Sequence, residues 1–277
     1  MICLALLLIS EAFSGLIKLN GSFYNENPLI FNRKRLNEEF PKTFDLKEEL
    51  PSCKSLHTIR SFGACPASWL FAANDAYADS LCYKKNISVL PSVQLQLNCD
   101  NDCAPHPYEK ICEDGCLAGS LFTAVTWLGK RGIVSEECLP FEYKKMECTY
   151  KCKDENVPFK SYTHLCQASV KKPTVDKMKQ ALKQYGSLVV GMNILPSFWT
   201  YKSGIITTGG KVIDPYIALR IVGWGENESG EKYWIVQNNW GDSWGMQGRA
   251  FVKMGVNLGS IESEFYFFAP CEDFEWN

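Results

Sequence analysis

Histidine is scarce in this chain: 277 residues contain three, His57, His106 and His164. Positive charge is not in excess either. Twenty-nine Lys and Arg stand against thirty-one Asp and Glu, for a net charge of −2. A nucleic-acid partner would require a basic patch or stripe, so that class is set aside. No low-complexity tract and no internal repeat is present. No apolar run is long enough to cross a bilayer as a helix, which takes about 20 residues, so the chain is not read as transmembrane. No cofactor is expected.

Cysteine, by contrast, is abundant, with thirteen. One of them, Cys3, lies in the apolar run Ile2 to Ile9, which leads into the small residues Ser10, Ala12, Ser14 and Gly15. A short apolar stretch before small residues has the form of a secretory signal peptide, here residues 1–14, although the usual basic n-region is absent. Without Cys3, twelve cysteines remain, an even number that fits a disulfide framework in an oxidising compartment. Cys99-x3-Cys103, Cys112-x3-Cys116 and Cys148-x3-Cys152 approach zinc-ligand spacing, but with so little histidine bridges are the better reading. Asn20, Asn86 and Asn227 each open an Asn-x-Ser glycosylation acceptor if the chain is secreted.

The hydrophobic fraction, 46%, and the charged fraction, 22%, are those of an ordinary globular protein. Residues 15–39 are polar and irregular, with the basic cluster Arg33-Lys34-Arg35, and read as a short pro-segment or a flexible N-terminus. Residues 68–84, 120–128 and 174–185 carry helical apolar spacing. Pro66 suits the start of the first helix. Gly129 and Gly132 stop the second. Thr174 caps the third and Gly186 ends it. The last third changes to short runs rich in β-branched and aromatic residues: 188–192, 217–224, 233–237, 249–253 and 264–268. Helices first and strands after predict an α+β fold with two lobes.

The segment Phe62-Gly-Ala-Cys65-Pro66-Ala67-Ser68-Trp69 then supplies chemistry. It resembles the C-G-[SA]-C-[WY] signature of papain-like peptidases, with serine where the second, nucleophilic cysteine belongs. Other motifs follow in family order. Phe44-Asp45 resembles the start of a mature cathepsin B domain. Gly115-Cys116-Leu-Ala-Gly119 resembles the G-C-N-G-G turn. Leu219-Arg-Ile-Val-Gly-Trp-Gly225 resembles the strand after the catalytic histidine. Tyr233 to Gly245 resembles the asparagine segment, and Ile261-Glu-Ser-Glu264 the C-terminal strand of cathepsin B. The motifs span residues 40–268, and the papain-like domain is read as 40–277. The resemblance implies a disulfide-rich papain-like fold with a helical left lobe and a β-barrel-like right lobe. It also implies bridges Cys53–Cys82, Cys65–Cys116, Cys99–Cys148, Cys103–Cys112 and Cys138–Cys152, with Cys166–Cys271 as a local addition.

Carried over position by position, the resemblance puts Ser68 at the nucleophile and Ile217 at the histidine, six residues before Gly223. A slip of one would bring Tyr216 or Ala218, and neither is a base at neutral pH. Asn238 falls at the orienting asparagine and Phe62 at the oxyanion-hole glutamine. Glu264 and Trp240 fall at substrate-pocket positions, although Trp240 and Trp244 read as packing. A serine hydroxyl needs an active base to attack. Isoleucine accepts no proton and phenylalanine donates no hydrogen bond. Losing one oxyanion donor alone typically removes about 2.7–4 kcal/mol of transition-state stabilisation. In serine proteases, losing the nucleophile or the base alone lowers turnover by about 10⁶. The segment from Cys138 to Cys152 is too short for the histidine-bearing occluding loop of cathepsin B, so exopeptidase trimming is not expected.

The expectation is therefore a catalytically inactive, cathepsin B-like protein of the secretory pathway, extracellular or endolysosomal, with a peptide or protein ligand. It is similar in this respect to the tubulointerstitial-nephritis-antigen group. The alternatives are an active endopeptidase using Ser68 with a relocated base, and a structural or storage protein.

Overall fold

A computed structural model describes residues 39–104, 111–112, 114–117 and 119–273. The expected signal peptide and nearly all of the pro-segment, together with Asn20, His106 and the Cys112 side chain, lie outside the described residues. Seven helices are described: α1 (Leu46–Glu49), α2 (Lys54–His57), α3 (Ser68–Lys85), α4 (Gln94–Cys99), α5 (Leu121–Arg131), α6 (Val175–Tyr185) and α7 (Pro196–Trp199). Ten strands accompany them: β1 (Phe44–Asp45), β2 (Cys103–Ala104), β3 (Ile111–Cys112), β4 (Leu165–Lys171), β5 (Leu188–Ile194), β6 (Ile205–Ile206), β7 (Asp214–Glu226), β8 (Lys232–Gln237), β9 (Arg249–Lys253) and β10 (Glu264–Pro270). Among the described residues no helix is long and apolar enough to cross a membrane.

The main sheet runs β4-β10-β5-β7-β8-β9-β6, with β1 added on β7. All its pairings are antiparallel except β6 with β9. The path is open between β4 and β6, so the barrel-like right lobe is met only loosely. Side chains alternate along a strand, and that alternation divides two cores. Phe265, Phe267, Leu188, Val190, Ile217 and Leu219 enter the sheet-side core. Tyr266, Phe268, Val189 and Ala218 enter the core of the helical lobe.

Helix α3 joins the two. It is buried from Ser68 to Cys82, and a helix covered on every side has no need of an apolar stripe. Its polar residues are paired across the lobes. The Arg220 guanidinium on β7 bonds the Asp79 carboxylate and lies 3.4 Å from Asp75. Arg60 spans Asp75 at 3.1 Å and Glu136 at 2.8 Å.

Helix α6 has the expected cap, with Thr174 Oγ1 accepting the Lys177 N–H and Gly186 closing the C-terminus. Helix α5 runs past Gly129 and is capped by Gly132, so of the two expected stops only Gly132 ends it. A Cβ at Gly129 would lie 2.1 Å from Gln167 Oε1, so that glycine serves the approach of β4 instead. Pro66 does not occupy the first helical turn, since Ala67 is the cap of α3. Five of the expected bridges are present: Cys53–Cys82, Cys65–Cys116, Cys99–Cys148, Cys138–Cys152 and Cys166–Cys271. Cys103 is disulfide-bonded, and its register partner across the β2–β3 hairpin is Cys112.

Candidate active site

Four segments converge where the sheet meets the N-terminus of α3. The first is 60–65. Its chain lies along the 238–241 segment through Phe62 N–H to Asn239 O at 3.2 Å and Gly241 N–H to Arg60 O at 3.0 Å. The second is the start of α3 itself, where Ser68 is fully buried. The third is β7. The Ala218 N–H donates to Ser68 Oγ at 3.2 Å, which brings Ser68, the expected nucleophile position, against the strand that carries Ile217. The fourth is the segment after β8, with Asn238 and Trp240.

Ile217 precedes that contact. It is fully buried in the sheet-side core and in register with Met192. The register shifts just beyond, between Met192 and Ile194, so Pro215 and Tyr216 are opposed by Asn193 alone. Such a bulge re-aims a side chain. Tyr216 sits in it at φ 39°, a left-handed conformation rare for a bulky residue, and packs against the helical core. Phe62 enters the same helical core at 4% exposure. Phe62 and Ile217 therefore belong to different cores.

Asn238 is buried. Its Oδ1 accepts the Asn239 N–H at 2.8 Å, and its own N–H donates to Gly248 O at 2.9 Å. Its Nδ2 meets no acceptor among the described residues. Trp240 contributes to both cores, with edge contacts to Phe198, Trp199 and Trp244 at ring separations of 5.7, 5.3 and 5.3 Å. Glu264 opens β10, part-buried, in register with Lys171 on β4.

The described histidines stand apart from this centre. His57 is exposed, with Nε2 3.2 Å from Leu50 O. His164 is exposed and lends its backbone to the Tyr77 hydroxyl. Among the described residues no histidine is hydrogen-bonded to Ser68. A surface hollow of about 530 Å³ is lined by Lys47, His57, Ile59, Asp242, Ser243 and Gln247, none of them a candidate site residue.

Charge near the site is internal. Burial pushes the Asp75 carboxyl up despite Arg220 and Arg60, and does the same to Glu136 despite Arg60. Burial works against the Arg220 charge, yet Asp79 and Asp75 outweigh it and hold its pKa above the ordinary value. Sequence reasoning missed this network. Asp75 and Asp79, one turn apart in an otherwise apolar helix, were the available signal.

The papain family cysteine protease profile matches residues 40–269. The chain belongs to that family. It is 27% identical over 253 residues to a cathepsin B-like cysteine proteinase 3 of Caenorhabditis elegans, covering 81% of this chain and 65% of that one. It is 29% identical over 274 residues to a cathepsin B-like cysteine proteinase of Schistosoma japonicum, covering 87% and 76%. Among solved structures, procathepsin B S9 from Trypanosoma congolense superposes with a TM-score of 0.81 at 26% identity, covering 94% of this chain and 87% of that one. The protein is thus a cathepsin B-like member of the papain fold. The chain spans just under two thirds of the nematode relative's length.

Proposed function

We propose that this cathepsin B-like protein does not hydrolyse peptides and instead binds peptides or proteins outside the cytosol. One observation carries the reading. The Ser68 hydroxyl accepts a backbone N–H from Ala218, while isoleucine occupies the adjoining position from which the family's base acts. Among the described residues an alcohol so placed has no histidine to take its proton, and it remains a poor nucleophile. Ser68, Ile217, Asn238 and Phe62 are in this reading degenerate catalytic positions. Glu264 and Trp240 border the ligand pocket, where Glu264 favours a basic side chain. Residues 1–14 act as a signal peptide and 15–39 as a short pro-segment or flexible N-terminus, and the chain travels the secretory pathway with glycans on its acceptor asparagines. Its destination is extracellular or endolysosomal.

Burial favours one other reading, a structural or storage protein. Ser68 and Ile217 are 0% exposed, Asn238 1% and Phe62 4%, so the old centre is filled by its own side chains.

Hydrolysis of a fluorogenic dipeptide pool by the purified protein, beside Ser68→Ala, tests the first claim. Equal rates, both at the blank, are expected; a rate that depends on Ser68 would sink it. Saturable binding of a labelled peptide pool separates binding from a structural role, which would show none.

A further inference from the structure

The glycosylation acceptors are a feature that the catalytic centre does not absorb. Two of them are described, and they differ. Asn227 is half-buried and its carboxamide closes its own turn. Oδ1 accepts the N–H groups of Ser229 at 3.1 Å and Glu231 at 2.8 Å, and Nδ2 donates to Glu231 Oε2 at 2.8 Å. Asn86 is exposed. It ends α3 in the left-handed conformation, φ 55°, with its N–H donating to Cys82 O, and its carboxamide makes no hydrogen bond among the described residues. Asparagine suits that cap.

The acceptor serine of the Asn86 site is not free. Ser88 Oγ donates to Ser52 O at 2.6 Å and accepts the Lys54 N–H at 3.0 Å. Those two residues flank Cys53, which is bridged to Cys82 in the last turns of α3. Closing that corner therefore engages the hydroxyl that defines the acceptor.

Resting on the secretory reading above, we propose that Asn86 is the preferred glycan-bearing residue of the two, modified before the corner at Cys53–Cys82 closes. The donor is a lipid-pyrophosphate-linked oligosaccharide. A bond forms between Asn86 Nδ2 and the anomeric carbon of the first sugar, and the bond from that carbon to pyrophosphate oxygen breaks. The lipid pyrophosphate departs with the electron pair, and one amide proton is released.

Timescales support the order. Disulfides form over seconds to hours, whereas a hairpin closes in about 1–10 μs. The corner at Asn86 stays open until a bridge forms. The turn at Asn227 uses only residues 227–231 and closes as soon as they emerge, at a synthesis rate of about 5–20 residues per second. The position is also harmless to the candidate site. Helix α3 has eighteen residues, so at 1.5 Å per residue Asn86 lies about 27 Å along it from Ser68.

The test is site mapping of the full-length chain expressed in a eukaryotic cell. Peptide-N-glycosidase in ¹⁸O-water marks each occupied asparagine, in the wild type and in a Cys53→Ser/Cys82→Ser variant read from total membranes so that misfolding does not matter. Occupancy at Asn86 is expected to exceed that at Asn227, and to be equal or higher in the variant. A membrane-enclosed chain with Asn86 unmodified, with Asn227 at or above Asn86, or with lower occupancy at Asn86 in the variant would overturn this assignment alone. A chain left in the cytosol without glycan would overturn the secretory reading and this assignment with it.

Discussion

Truncating Ser68 removes a side-chain acceptor of the buried Ala218 N–H. An orphaned buried donor typically costs about 1–3 kcal/mol. Ser68→Ala is therefore expected to lower the unfolding free energy by about that amount in urea titration, while leaving the peptide-hydrolysis blank unchanged. An unchanged stability would mean that the 3.2 Å contact carries no weight. At this scale the family motifs were legible because chemistry fixes their spacing along the chain. Tyr216 was not. Its place depends on a register shift opposite Asn193, and nothing in Asp214-Pro-Tyr-Ile announces a tyrosine held at φ 39°.

Helix α3 and strand β7 are held together by charge as well as packing. Removing one partner of a buried ion pair leaves the other uncompensated, typically at about 3–5 kcal/mol. Asp79→Ala leaves Arg220 with Asp75, at 3.4 Å, as its remaining carboxylate, and strands the Ser55 and Ser187 hydroxyls that now bond Asp79. Loss of soluble folded protein, or a fall in stability of about 3–5 kcal/mol, is expected. Replacing both Asp79 and Arg220 with apolar residues of similar volume should recover much of that loss, because the pair itself repays little beyond its own desolvation. A double variant as unstable as Asp79→Ala would contradict this account. The elements themselves were largely visible. The five strand runs read from sequence all lie within β5, β7, β8, β9 and β10, since β-branched and aromatic runs bounded by turn residues have few other uses. Strand β4 was missed because Leu165-Cys-Gln-Ala-Ser-Val-Lys lies at the open edge of the sheet with one buried residue, Leu165, and so carries little apolar pattern.

Three carboxyls spread over the molecule, Asp75, Asp100 and Glu136, share one direction of shift. Burial raises Asp100 from 3.8 to about 6, only partly offset by hydrogen bonds from Gln96 and the Asp102 N–H, with Asp102 and Lys145 nearby acting in opposite senses. Asp75 and Glu136 are also raised. A carboxyl whose pKa is higher when folded binds a proton that the unfolded chain gives up. Its contribution to stability is fully present below the unfolded value, near 3.8 for Asp100, and is lost as pH rises through about 6. For Asp100 the span corresponds to on the order of 3 kcal/mol. The carboxyls shifted the other way, the part-exposed Glu142 and the exposed Glu272, pair with Lys153 and Lys85 at the surface. Exposed pairs of that kind weigh little. The melting temperature should therefore rise as pH is lowered from 7.5 to 5. Asp100→Asn keeps the shape, can still accept from Gln96 or Asp102, and titrates nowhere in this range. It is expected to flatten that rise and to be the more stable form at pH 7.5. A melting profile for Asp100→Asn as steep as the wild type would place the proton on Asp75 or Glu136 instead, within the charged network between the two lobes.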